Sequence, residues 1–207
     1  ASALLGVDVI IVVANLLLSL RGSGVFPRDP ALRFVATSTA FYLVVSIQGS
    51  LQARMTFNQA VHFTDWVIGH SHLAMLGFAT FAAIGGLVHV WQRIPWARYN
   101  ARAIDHAYWL LLVGVVIMVT DLTIAGLVQS RMWEAGAPWM EAVQASRPYW
   151  VVRSLSAVPL TGGFVSLLVG LTTGPRGGGL AAVEQSVGLE AVDEITHRLS
   201  PAVAEVR

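Results

Sequence analysis

The stretch Val61 to Phe78 reads VHFTDWVIGHSHLAMLGF, and it sets two histidines, His70 and His72, inside an otherwise apolar run. That run extends from about Trp66 to Trp91. It is long enough to cross ~30 Å of hydrocarbon as a helix, which takes roughly 20 mainly apolar residues. Four other runs are of the same kind, approximately 3–20, 33–51, 107–128 and 150–172. Backbone polar groups in lipid have to be satisfied within the segment unless a barrel closes, so each run is expected to be α-helical. The fold class expected is an all-α integral membrane protein with about five transmembrane helices.

Composition agrees. The 207 residues are 55% hydrophobic and 12% charged, with a mean hydropathy of +0.64, whereas soluble domains run at roughly 45–50% apolar and about 25% charged. Every basic residue apart from histidine is arginine, and most lie between apolar runs, so no basic tract points to nucleic acid. There is no cysteine. Disulfides, thiolate metal sites, thiolate-bridged copper centres and covalent haem attachment through C-x-x-C-H are thereby excluded within these residues.

Breaker residues separate the runs: Gly22, Gly24, Pro27 and Pro30, then Pro95, then Gly136, Pro138 and Pro148. Residues 1–173 read as a transmembrane helical region, and 174–207, which opens on a glycine cluster and turns acidic and alanine-rich, as a flexible tail. The opening run lacks a basic n-region and a small-residue cleavage site, so it reads as a span and not a signal peptide. A start at Ala1, with no initiator methionine, fits a chain that begins inside a longer one. Arginines concentrate in the first loop (Arg21, Arg28, Arg33) and the third (Arg93, Arg98, Arg102), which predicts that these loops and the tail are cytoplasmic. On that assignment His70 and His72 lie in the outer half of the third span.

Two histidines two positions apart on a helix are rotated by about 200° from one another, because each residue advances roughly 100°. They point to opposite faces. A shared metal would be better served by ligands three or four apart, as in H-E-x-x-H. Two separate cofactors, one on each side, suit the spacing, with Gly69, Ala74 and Gly77 expected to leave room for planar rings. Neutral imidazole is a good axial ligand for haem iron. The competing reading is that both imidazoles only hydrogen-bond neighbouring helices.

H-F-T-D-W-x-x-x-H-x-H-x-x-M-x-x-F resembles the tenth helix of the catalytic subunit (subunit I) of haem–copper oxidases, and within them the C-family, or cbb3-type, cytochrome c oxidases. SIQGSLQ, from Ser46 to Gln52, and RPYWVVRS, from Arg147 to Ser154, are similar to the same family, as is the spacing of the five spans, over about 1–173. The resemblance implies part of a twelve-helix bundle. It implies that His70 is the axial ligand of a high-spin haem b, where oxygen binds, and His72 a ligand of a low-spin haem b. It further implies that Arg153 pairs with haem propionates, a task that suits the guanidinium fork; a headgroup anchor is the plainer reading of Arg153.

By the same resemblance the chain is part of a respiratory terminal oxidase that reduces oxygen to water with proton translocation, in a bacterial inner membrane. The partners implied are the remaining subunit I helices, cytochrome c-type subunits or another donor, and oxygen. Copper is expected, but its histidine ligands, the cross-linked tyrosine and the second low-spin ligand belong to helices outside these residues, whether in the same polypeptide or another. Two alternatives stay open. A nitric oxide reductase catalytic subunit shares the fold and the histidine pair, and a non-catalytic di-haem b membrane cytochrome would place its histidines at a longer fixed spacing along one helix, which this sequence does not have.

Asp65 stands where asparagine is expected in the C-family, a departure near the outer surface. His62 reads as a surface residue or a propionate contact, and His89 and His106 as interfacial residues. Asp121, deep in the fourth span, reads as a hydrogen-bond acceptor for a neighbouring helix or an aid to proton movement, and Asp8 and Asn15 carry the same ambiguity in the first span. Trp66, Trp91, Trp109, Trp133, Trp139 and Trp150 read as interface anchors.

Overall fold

The structure is a computed structural model that describes residues 2–19, 29–179 and 181–183. Among these, seven α-helices and one π-helical segment run in the order α1 (Ser2–Ser19), α2 (Pro30–Gln52), α3 (Met55–Val61), α4 (Asp65–His72), the π-helical segment Leu73–Thr80, α5 (Phe81–Gln92), α6 (Ala101–Glu134) and α7 (Trp139–Thr172). Among the described residues, four helical stretches are long and apolar enough to cross a membrane: Pro30–Gln52, Asp65–Gln92, Ala101–Glu134 and Trp139–Thr172. The apolar stretch Gly6–Ser19 of α1 is shorter. Arg21 and Arg28 of the first loop and the tail from residue 184 lie outside the described residues.

Local chemistry sets the helix starts. Asp29 caps α2, its Oδ1 accepting from Ala31 N at 2.9 Å, with Pro30 in the first turn where a missing N–H costs nothing. Thr64 caps α4 by accepting from Trp66 N, and Asn100 caps α6 by accepting from Ala103 N. α6 and α7 each hold 34 residues, about 50 Å at 1.5 Å per residue, so both project beyond the hydrocarbon. Hydropathy marks only their apolar centres, which is why the sequence places both starts too late.

α6 and α7 form an antiparallel hairpin turned by Gly136, which has φ +71. They meet along Ile104, Ala107, Leu111, Gly114, Met118, Asp121 and Ala125 on α6, and Ser146, Ser156, Leu160, Gly163, Leu167 and Gly170 on α7, all buried except the half-buried Leu160, at the three-and-four spacing of a helix face. Small residues let the backbones close, as in membrane helix pairs generally. A Cβ on Gly114 would stand 2.7 Å from Leu160, and one on Gly163 2.6 Å from Leu111.

The third span is held twice. Its first part, α4, packs chiefly on α6, while the π-helical segment and α5 pack chiefly on α2. The contact with α2 centres on an aromatic cluster of Phe34, Phe41, Phe81 and Tyr108, with ring centroids 5.2–6.4 Å apart. The Arg33 guanidinium bonds Asp105 and lies 4.9 Å over Tyr108, tying the start of α2 to the start of α6 at one end of the bundle. Beyond α7, residues 174–179 lie against the α5–α6 loop, where Gly177 N donates to Ala97 O and Arg98 donates to Gly174 O. Tyr99 in that loop is buried, which pushes its phenol up to about 12, and its oxygen accepts from Gln92 Nε2 at 2.9 Å.

Candidate functional site: the histidine pair of the third span

His70 and His72 leave α4 on two sides of its contact with α6. Gly69 faces α6, where a Cβ would meet Leu122 Cβ at 3.1 Å and Thr123 N at 3.3 Å. One residue on, the His70 ring turns to α2. Its Nδ1–H donates to Gln48 Oε1 at 3.3 Å, and its Cε1 would lie 3.6 Å from a Cβ on Gly49. Trp66, one turn before it, lies parallel to the imidazole, the planes 7° apart and the centroids 5.8 Å apart. His72 turns the other way and donates from Nδ1 to the Ile68 carbonyl at 2.8 Å. Ile68 and Met75, a turn to either side of it, are 37% and 66% exposed, an apolar surface for a flat ring to lie on.

Both rings thus engage Nδ1 with a protein oxygen and keep Nε2 as the lone-pair nitrogen. That is the tautomer an imidazole needs to bind iron, with its orientation set by the bond on the other nitrogen. Neither histidine touches the other, and among the described residues no group of three or more His, Cys, Asp or Glu comes together to hold a metal ion. The donor set therefore fits two planar metal complexes, each taking one axial nitrogen, and not a shared ion.

The helix widens into its π-helical form at Leu73, directly after the pair. Such segments sit frequently at functional sites because they shift the register of everything beyond them. Here the shift lets one span show α6 its first part and α2 its second. The expectation that Gly69 and Gly77 make room for rings is corrected: Gly69 is spent on α6, and at Gly77 a Cβ would meet Phe41 at 3.1 Å. These glycines serve helix packing.

Above the pair, α4 begins in a polar latch. Asp65 N donates to Gln129 Oε1 at 2.7 Å, Gln129 Nε2 donates to Asp65 Oδ2 at 2.8 Å and to Ser146 Oγ at 2.9 Å, and Trp150 Nε1 donates to Asp65 Oδ2 at 2.9 Å. Three helices are joined at one carboxylate, which also sits favourably in the first turn of α4. Trp66 is 4% exposed and packs on Gly126, so it is a buried residue and not the interface anchor expected. Phe63, just before, has φ +64 and is 85% exposed, an uncommon backbone for a bulky residue. With His62 it lines a cavity of about 660 Å³ that also takes in Met55, Asn58 and Trp133. His89 and His106 are exposed at the opposite end.

The family model "Cytochrome C and Quinol oxidase polypeptide I" matches residues 1–159. The chain belongs to that family. Among similar proteins, the cbb3-type cytochrome c oxidase subunit CcoN1 of Stutzerimonas stutzeri is 32% identical over 136 residues, covering 61% of this chain and 29% of that protein. The cytochrome c oxidase subunit 1 of Rhodobacter capsulatus is 30% identical over 153 residues, 69% of this chain and 27% of that protein. A bacteroid cytochrome c oxidase subunit 1 homolog of Bradyrhizobium diazoefficiens is 29% identical over 138 residues, 61% of this chain and 25% of that protein. The chain thus spans about a quarter of the length of these relatives.

The family match takes in α4, the histidine pair and Arg153. Arg153 lies on α7, exposed, and no hydrogen bond of its guanidinium is found among the described residues. Asp121 is 7% exposed, and its Oδ2 has no partner. Sequence reading missed Gln48, although it lies in the SIQGSLQ segment, because nothing in that segment announces a histidine partner. It missed Gln129 for the same reason, although a glutamine eight residues past a buried carboxylate in an apolar span is itself a signal.

Proposed function

We propose that the chain is the C-terminal part of the catalytic subunit of a cbb3-type respiratory terminal oxidase, with His70 the axial ligand of a high-spin haem b and His72 an axial ligand of a low-spin haem b. The observation that carries this reading is the divergence of the two imidazoles on α4, each with Nδ1 bonded to a protein oxygen and Nε2 left as the ligand nitrogen. When bound, the haems would supply electron transfer and, with a copper ion held by residues outside this chain, reduction of oxygen to water.

The chain's own residues position and insulate. Gln48 and the Ile68 carbonyl fix the rotation of the two rings, and Trp66 holds His70 from the flank. The Asp65 latch keeps the start of α4 seated on α6 and α7. Arg153 supplies a cation for haem propionates, where a fork of donors can bind a carboxylate bidentately. The reading places the subunit in a bacterial inner membrane with the arginine-rich loops and the tail cytoplasmic, coupled to proton translocation, beside the remaining subunit I helices and a cytochrome c-type donor.

The test is turnover by the full-length subunit in its assembled complex, reduced through a cytochrome c. Oxygen uptake that carbon monoxide inhibits, with water as product, is expected. Conversion of nitric oxide to nitrous oxide with no oxygen uptake would move the chain to the nitric oxide reductases, and a complex carrying no haem would reject the reading altogether.

A further inference from the structure

Asp121 is an unpartnered acid in the close-packed seam between α6 and α7. It belongs to the α6 row that meets α7, it is 7% exposed, and its Oδ2 has no hydrogen-bond partner. A buried carboxylate at this depth is costly without a partner.

The register of the hairpin says what faces it. Leu111 lies on Gly163 and Gly114 on Leu160, and farther out Gln129 bonds Ser146. Between these fixed points the two antiparallel rows bring Asp121 level with Arg153. Among the described residues, Asp65 and Arg153 are charged groups near enough to act on Asp121. Asp65 is an anion whose Oδ2 already accepts from Gln129 and Trp150. Arg153 is the cation, and its guanidinium has no hydrogen bond among the described residues. A guanidinium carries five donors on two edges, so one carboxylate does not exhaust it.

We propose that Asp121 is the positioning residue of Arg153: its carboxylate takes one edge of the guanidinium across the α6–α7 seam and leaves the other edge for the propionate rim of the haem on His72. The far end of this arrangement rests on the haem reading above; the pairing itself does not. Asp121 touches no reacting atom. It sets where the positive charge stands, and through that charge the potential of the low-spin haem.

The experiment is a double-mutant cycle in the full-length assembled complex, with Arg153→Ala made in the native and Asp121→Asn backgrounds. Two quantities are read, the midpoint potential of the low-spin haem and the thermal midpoint of haem retention. Arg153→Ala is expected to lower the potential in the native background and to have no more than half that effect in the Asp121→Asn background, while Asp121→Glu keeps most of the native potential. The thermal losses of the two single variants are expected to sum to more than the loss in the double variant. Equal potential drops in both backgrounds, with additive thermal losses, would overturn the pairing. If Arg153→Ala leaves the potential unmoved while the thermal losses stay non-additive, the pair stands and its propionate end is rejected.

Discussion

The two sides of α4 are built in opposite ways. Toward α6 there is no space: a Cβ on Gly126 would run into the backbone of Trp66, Gly69 is closed by Leu122 and Thr123, and Asp65 is stitched to Gln129 and Trp150. Away from α6, His70 and His72 are half-buried, and Ile68 and Met75 stand open beside the second ring. The closed side works as a datum for the open one. An axial ligand is useful only if its nitrogen stays within a few tenths of an ångström of its place, and a helix seated by backbone contact on one side can present side chains on the others without drifting.

The largest way to break that contrast is Gly126→Leu. The added side chain meets the Trp66 backbone and Cβ, which cannot move aside as the end of a flexible side chain does, so overpacking at the upper end of about 1–3 kcal/mol or beyond is expected. Purified full-length subunit should then lose both haem absorbance bands together. Retention of both bands would show that α4 is seated by something else.

Asp65→Ala is the smaller perturbation. It leaves Trp150 Nε1 without its acceptor, at a cost of up to about 1–3 kcal/mol for one unpaired donor, while Gln129 Nε2 keeps Ser146 Oγ. Both haem bands should survive at low temperature while the thermal midpoint of haem retention falls. An unchanged midpoint would mean that the latch contributes nothing to holding the helix.

The helical spans and the histidine pair were legible because each depends on a local pattern: apolar length for the spans, a two-residue spacing for the opposed rings. The ends of α6 and α7 were not, since a helix that has left the hydrocarbon need not be apolar. The π-helical segment Leu73–Thr80 gives no compositional signal, and with it went the true work of Gly77 against Phe41. Trp66 misled because a tryptophan near a span end usually meets the interface, whereas here Gly126, sixty residues along the chain, makes the hollow that receives it. The partners of His70 and Asp65 lie on other helices, and no single-helix period reports on them.

The central claim is that His70 and His72 serve two different irons, and the optical spectrum of the full-length subunit carrying each substitution singly tests it most directly. His70→Ala should remove the high-spin band and its carbon monoxide shift while the low-spin band persists, and His72→Ala should do the reverse. Loss of the same band in both variants, or of neither in either one, would contradict it.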